Sequence, residues 1–257
     1  MIEGVHLAVY SSIKPATIHR LTLEYDALSF ISNTIAISDY IVEAYRIGEK
    51  ARRGELALTS IEIGKLLSKS LREAYRWVGS RVHPSVIVPQ IIYSLAFGHS
   101  GVENYLENNS KIRNSLNLIL SINKWSEIRQ FIDALKSIGR NDMLEHLNTA
   151  GLSQLTGVTG GVNFGDVFRI LGSRWYAFTS LDLSDYKIYN LVKRLIEYYE
   201  IYKSAENALV ALYLELIKNR VPEWARQNIV EVLDKKLIGK REGFKILFDL
   251  DMKLRRD

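Results

Sequence analysis

Apolar residues recur at three- and four-residue intervals along most of the chain, which is the spacing of one face of an α-helix. The clearest case follows Thr59-Ser60-Ile61-Glu62, a capping-box pattern, and runs through Val78 until Gly79 ends it. The same spacing predicts further helices over 1–12, 26–47, 84–97, 101–107, 112–120, 125–138, 141–149, 184–217 and 222–255. As one piece, the helix at 184–217 would be on the order of 50 Å long.

Strand-like patterns are missing from the sequence. No segment shows the strict alternation of apolar and polar residues that a half-buried strand requires, and no repeat recurs at a fixed period. The sequence therefore predicts the all-α fold class: a single multi-helix globular domain over 1–257, with no sheet. The main interruption is a glycine-rich stretch at 151–165, which we interpret as a flexible connector. A chain of 257 residues can bury roughly 70–75% of its extended-chain surface, so it needs no disulfide.

Composition excludes several kinds of chemistry. The chain has no cysteine, which rules out disulfides, thiolate nucleophiles and cysteine-bound zinc. Its histidines show no pair at metal-ligand spacing, and no Gly-x-Ser-x-Gly nucleophile motif occurs. We therefore predict no protein-ligated metal site.

Net charge and hydropathy bear on the expected ligand class and on the expected cellular location. The net charge of +5 suits a phosphate-rich ligand or a nucleic acid and does not choose between them. Met1 is not followed by a basic leader and an apolar core, and the longest apolar run, 86–97, is too short to span a bilayer. We expect a cytoplasmic protein with no membrane partner.

The loop Lys14–Arg20, with the sequence Lys-Pro-Ala-Thr-Ile-His-Arg, lies between two apolar helical segments. Pro15 lacks an N–H and disfavours a helical conformation at Lys14, so a continuous helix is excluded there. Lys14, His19 and Arg20 would then project from a short loop held between packed helices, a suitable way to present cations to a phosphate. An ordinary charged surface loop is the alternative.

A second loop, Gly79–Ser85, precedes the apolar helix predicted from Pro84. The N-terminus of a helix is a good anion site because its free N–H groups and its dipole point outward. Arg81 and His83 would add donors there. The alternative is a helix-initiating turn whose charges are incidental.

Together the two loops resemble segments of the triphosphoribosyl-dephospho-CoA synthase family. The Lys-Pro-x-x-x-His-Arg pattern, followed by Glu24 or Asp26 and an apolar helix, is similar to the start of that family. The second loop lies where the family has a Gly-Asn-Thr-(His or Asn)-x-Gly segment, and Gly79 and His83 match it. The resemblance implies an all-helical enzyme that takes ATP as substrate, transfers a triphosphoribosyl group to dephospho-CoA and releases adenine.

The resemblance also assigns roles. Lys14, His19, Arg20, Arg81 and His83 would form one phosphate and nucleotide clamp, and we predict that they converge on one cavity. Either Asp26 or Glu24 would be the catalytic carboxylate, and a role for Mg²⁺ with the triphosphate stays open.

This chain departs from the family at several positions. Ala16 replaces a usual glycine, Arg81, Val82 and Ser85 replace Asn, Thr and Gly, and the family's closing Asn-Pro-Gly-Thr segment has no counterpart. Turnover is therefore expected to be weak or lost. The expected partner is a nucleotide or a CoA-like small molecule, with nucleic acid less favoured and a homo-oligomer left open.

Two alternatives remain at this point. One is a non-catalytic nucleotide-binding homologue. The other is a helical module that binds nucleic acid or protein through a basic C-terminal face over 235–256, with Lys235, Lys236, Lys240, Arg241 and Lys245.

Overall fold

Twelve α-helices of the computed structural model are labelled here in chain order. They are α1 (Glu24–Ala36), α2 (Ser38–Arg52), α3 (Ile63–Val78), α4 (Pro84–Ser100), α5 (Asn109–Ser121), α6 (Trp125–Ser137), α7 (Asn141–Thr149), α8 (Phe164–Gly172), α9 (Lys187–Tyr202), α10 (Ala205–Ile217), α11 (Glu223–Asp234) and α12 (Arg241–Leu254). Short 3₁₀ helices occupy Leu58–Ser60, Gly79–Arg81 and Tyr176–Leu181.

The structure describes residues 8–9, 11–17, 19, 21, 24–101, 108–122, 124–152, 161–181 and 187–256, without the side chains of 24–27 and 187–188. These residues contain no strand, so the predicted all-α fold class is confirmed. Within them, no helix is long and apolar enough to cross a membrane. Part of the predicted connector, 153–160, lies outside the described residues.

The chain divides into two compact units. The first unit combines Met1–Ile31 with Ile188–Asp257, and the second unit is Ser32–Lys187. The expectation of one domain over 1–257 stays a prediction beside this division.

The second unit is built around the pairing of α2 with α4, its most extensive helix contact. Two glycines permit the close approach of these helices. A Cβ at Gly48 would lie 2.1 Å from the Leu95 carbonyl oxygen, and a Cβ at Gly98 would lie 2.0 Å from that of Tyr45. Each glycine therefore faces the backbone of the other helix, and no side chain fits at either position.

The N-terminus of α3 corrects one sequence-based prediction. Thr59 and Ser60 belong to a 3₁₀ helix, and α3 begins at Ile63 with no side-chain cap from Glu62, so the predicted capping box is wrong. The acceptor comes instead from α6, where Glu127 Oε2 accepts the Gly64 N–H at 2.8 Å. A carboxylate that is distant in sequence thus takes the place of the local cap.

The core of the second unit includes a group of fully buried phenylalanines. Phe164 and Phe168 of α8 stack with ring centroids 5.4 Å apart, and Phe178 stacks on Phe168 at 5.7 Å. At the start of α8, Asn163 and Asp166 form a reciprocal capping box. The glycine-rich stretch therefore ends in a helix N-terminus whose first donors are satisfied by its own side chains.

The first unit contains α9 to α12, and here the prediction of one long helix over 184–217 is wrong. The helix breaks at Lys203, whose φ of 49° is in the left-handed region. Ser204 then starts α10 by accepting the Asn207 N–H at 3.3 Å. A serine followed by an acidic first turn is a helix-start signal that competes with continuous apolar spacing.

Candidate functional site

The loop at Lys14 packs against the C-terminal helix α12 through one carboxylate, Asp251. Asp251 Oδ1 accepts the Ala16 N–H at 2.8 Å, and Oδ2 lies 3.1 Å from His19 Nε2. Both carboxylate oxygens also accept from Arg255 Nε at 2.9 Å. We call Ala16, His19, Asp251 and Arg255 the Asp251 cluster. It joins two segments of the first unit that are more than 230 residues apart in sequence.

Further hydrogen bonds fix the backbone of this loop. The Tyr213 hydroxyl donates to the Pro15 carbonyl oxygen at 2.6 Å, and Arg255 donates to that of Thr17. Ala16 has a φ of 60°, the left-handed region that glycine occupies without strain. A glycine would therefore suit this position better, and the Asp251 contact to the Ala16 N–H is part of what holds an alanine there.

His19 is neutral in this arrangement. It is only 2% exposed, and its Nδ1 accepts the Leu21 N–H at 3.1 Å. The ring proton must then be on Nε2, where it is donated to Asp251. Burial lowers the pKa of His19 below its ordinary value, while Asp251 acts in the opposite direction. His19 is thus a hydrogen-bond donor to Asp251 rather than a free cation.

The carboxylate of Asp251 stays ionised in this environment. Burial alone would raise the pKa of Asp251, but hydrogen bonds from Arg255, the Ala16 N–H and His19 outweigh burial and hold the pKa below its ordinary value. Tyr213 lies close to the same carboxylate, and burial together with the charge of Asp251 raises its pKa to about 12.

Lys14 is buried beside this cluster, with 6% of its surface exposed. Its Nζ donates to the Ala8 carbonyl oxygen. Burial lowers the pKa of the Lys14 amine from 10.5 to about 8. The amine is therefore still mainly protonated at neutral pH, in a setting that disfavours its charge.

Lys14→Met tests the cost of this buried charge. As pH rises from about 8 to 10.5 the folded state releases the Lys14 proton before the unfolded state does, so wild-type stability should rise by up to about 3 kcal/mol across that window. The variant should lack this rise, and urea unfolding near neutral and at alkaline pH measures it. An equal rise in wild type and variant would contradict the assignment, and Lys111→Met, at an exposed position, is the control.

The other expected residues fall in three places. Arg20 lies outside the described residues, and so do the side chains of Glu24 and Asp26. Arg81 and His83 belong to the second unit, whereas Lys14 and His19 belong to the first. The convergence of the five clamp residues on one cavity, and the roles assigned to them, stay predictions.

The second loop is organised by Asn33, a fully buried residue of α1 that sequence reasoning missed. Asn33 Nδ2 donates to the Arg81 carbonyl oxygen at 3.0 Å, and its Oδ1 accepts the His83 N–H at 2.9 Å. Arg140 Nη1 donates to the Val82 carbonyl oxygen at 3.3 Å. An amide within an apolar helix is the signal that could have indicated this role.

The first unit contains a cavity of about 330 Å³ at the N-termini of α10 and α12. We call it the α10–α12 cavity. Its lining includes Ser12, Ser204, Glu206, Asn207, Lys240 and Arg241. Lys240 starts α12 without a side-chain cap, so the first N–H groups of that helix are not satisfied by its capping residue. Sequence reasoning assigned Lys240 and Arg241 only to a basic face, because the break at Lys203 that places Ser204 here was not predicted.

In the described part of the chain, no group of three or more His, Asp or Glu side chains could hold a metal ion. Comparisons with protein-family models, curated proteins and solved structures gave no match for this chain.

Proposed function

We propose that the protein binds the phosphate groups of a nucleotide in the α10–α12 cavity. The observation that carries this proposal is the meeting of two helix N-termini and two cationic side chains on one cavity. The N-terminus of α12 favours anions through its uncapped N–H groups and its dipole. The N-terminus of α10 contributes mainly its dipole, since Ser204 already accepts the Asn207 N–H. Lys240 and Arg241 add charge-assisted donors, which are the strongest hydrogen-bond donors available for a phosphate.

The cavity has polar groups besides its cations. Ser12 and Ser204 bring hydroxyl groups, and Asn207 brings a side-chain amide. Its volume of about 330 Å³ is at the small end of the range for ligand pockets, which suits the phosphate-bearing part of a nucleotide better than a whole cofactor. Glu206 would oppose a bare phosphate, but it could face an Mg²⁺ ion that accompanies a triphosphate, since Mg²⁺ is commonly held by one or two carboxylates and the phosphates themselves.

The choice of nucleotide rests on the sequence resemblance. That resemblance supports ATP or dephospho-CoA as the ligand, with Glu24 or Asp26 as the carboxylate of a triphosphoribosyl transfer. The changes at Ala16, Arg81 and Val82 favour weak or absent turnover. Loss of a single preorganised donor can reduce a rate about 10²- to 10³-fold. We therefore propose a nucleotide-binding protein in which transfer activity is reduced or lost.

Calorimetric titration with ATP, with and without Mg²⁺, and with dephospho-CoA tests this proposal. One of these ligands should bind, and raising the salt concentration should weaken binding because Lys240 and Arg241 are exposed. The double variant Lys240→Gln/Arg241→Gln should bind about tenfold to a hundredfold more weakly.

The matched control is Lys235→Gln/Lys236→Gln, which removes the same charge from exposed lysines outside the cavity lining. Equal loss in both double variants would mean that net charge, not the cavity, carries the binding. No heat with any ligand up to millimolar concentration would end the proposal. Adenine release during incubation with ATP, Mg²⁺ and dephospho-CoA measures the remaining turnover, which should be slow or undetectable.

A further inference from the structure

Helix α12 presents an apolar stripe to solvent beside its buried face. Phe244, Phe248 and Met252 are spaced four residues apart and are 44%, 41% and 41% exposed. The two phenylalanine rings are nearly parallel, with centroids 6.2 Å apart. We call these three residues the α12 stripe. Its side chains cover adjacent positions along three turns, so the exposed apolar surface is continuous rather than scattered.

Four exposed charges flank this stripe and alternate in sign along the helix: Glu242, Lys245, Asp249 and Lys253. At 100° per residue all four lie on the same side of the stripe. Among the residues that the structure describes, Lys245 and Asp249 have no ion-pair partner within 4.0 Å. In chain order the signs are −, +, −, +, and in reverse order they are +, −, +, −. The flank of one α12 is therefore complementary to that of a second, antiparallel α12.

We propose that the α12 stripe packs against the α12 stripe of a second copy of this chain, with the two helices antiparallel. A two-fold axis close to Phe248 places Phe248 against its own counterpart and Phe244 against Met252 of the second copy. The same axis places Lys245 opposite Asp249 of the second copy, and Glu242 opposite Lys253. A two-fold contact requires such self-complementarity, because each residue must suit its own symmetry mate.

The charge pattern favours a second copy over a polyanion. A nucleic acid or an anionic lipid surface presents a single sign of charge, so it would meet Glu242 and Asp249 with repulsion. An antiparallel second copy meets each of the four flanking charges with the opposite sign. At the ends, Arg241 faces Arg255 of the second copy, and the charge of Arg255 is already balanced by Asp251 in its own chain.

The contact is small. Three apolar side chains and two kinds of charge pair per copy bury less surface than a typical stable interface, so the dimer should dissociate in the micromolar to millimolar range. Phe244 belongs both to the α12 stripe and to the lining of the α10–α12 cavity, whereas Phe248 and Met252 lie outside that lining. The dimer is therefore tested without nucleotide and through Phe248.

Charge reversal at Lys245 and Asp249 is the sharpest test, because Lys253 is already engaged with the ring of Trp224 at 5.9 Å. The wild type should show reversible, concentration-dependent dimerisation in analytical ultracentrifugation without nucleotide. Lys245→Glu and Asp249→Lys should each weaken dimerisation by about tenfold or more, because each places like charges opposite each other. An equimolar mixture of the two variants should dimerise again, since both charge pairs are then restored.

The control is Lys236→Glu, which reverses a lysine outside the stripe and its flank and should leave dimerisation unchanged. A wild type that stays monomeric at millimolar concentration overturns the proposal. It is also overturned if either reversed variant dimerises as well as wild type, or if the mixture stays monomeric. Phe248→Ser supplies a second variant, and it should abolish dimerisation while circular dichroism shows that helix content is kept. Its affinity for ATP, measured separately, should be unchanged, so failure of the dimer and failure of nucleotide binding are separate outcomes.

Discussion

Gly98→Ala is expected to destabilise the second unit by at least about 3 kcal/mol, toward the upper end of what overpacking costs. The added methyl group would lie 2.0 Å from the Tyr45 carbonyl oxygen, and the neighbouring N–H of Glu49 is also close. These are backbone atoms, which cannot move aside as a side chain can. Helices α2 and α4 would have to separate along their contact. Urea unfolding followed by circular dichroism measures the loss.

Gly54→Ala is the matched control for this prediction. A Cβ at Gly54 would meet no atom within 4 Å. The φ of Gly54 is 75°, so backbone strain is the only cost of an alanine there. That strain should be about 1–2 kcal/mol. If Gly98→Ala lost no more stability than Gly54→Ala, the close approach of α2 and α4 would be refuted.

Asp251→Asn is expected to cost the first unit about 1–3 kcal/mol, the range for leaving a buried hydrogen-bond donor unsatisfied, because the remaining cation, Arg255, is 39% exposed. An amide has one acceptor oxygen in place of two, so it cannot accept from the Ala16 N–H, His19 Nε2 and Arg255 Nε together. One or more buried donors would be left facing the new NH₂ group, which is costlier than a hydrogen bond that is merely lost. Thermal unfolding at neutral pH should show the decrease.

The acid side of the pH profile gives this prediction a second readout. Because the folded-state pKa of Asp251 lies below its ordinary value of 3.8, its contribution is complete above that value and is lost as pH falls through the folded-state pKa. Asp251→Asn should therefore flatten part of the loss of stability in acid. Asp133→Asn, at an exposed position of α6, should change neither stability nor the profile. A profile for Asp251→Asn that is parallel to wild type would show that Asp251 is not the titrating group.

The helical class was predictable because apolar periodicity is a local property that packing preserves. The positions at which helices begin and end were less predictable from the sequence. At Lys203 a residue with positive φ interrupts a stretch whose apolar spacing continues on both sides, and the sequence shows only the weaker signal of Ser204. At α3 the cap is Glu127, 63 residues from the Gly64 N–H that it accepts, and no local pattern indicates such a partner.

The candidate site was only partly visible for the same reason. The sequence singled out Lys14 and His19 as cations that project from a loop, whereas both side chains are buried. The partner of His19 is Asp251, which is 232 residues away in sequence. A signal did exist in α12, where Asp251 shares the buried face with Leu247 and Leu250. A carboxylate on an apolar face demands donors, and Arg255 one turn later supplies only part of them.

The first unit draws on both ends of the chain, which has a consequence for the newly synthesised protein. Ala16 leaves the ribosome 235 residues ahead of Asp251. At ordinary rates of translation this interval is on the order of 10–50 s. The second unit is continuous from Ser32 to Lys187 and can fold in the meantime, whereas the loop waits for its partner in contact with water. Because this loop carries Lys14, His19 and Arg20, it is well solvated until Asp251 has been synthesised. An apolar segment in its place would be prone to aggregation during that interval.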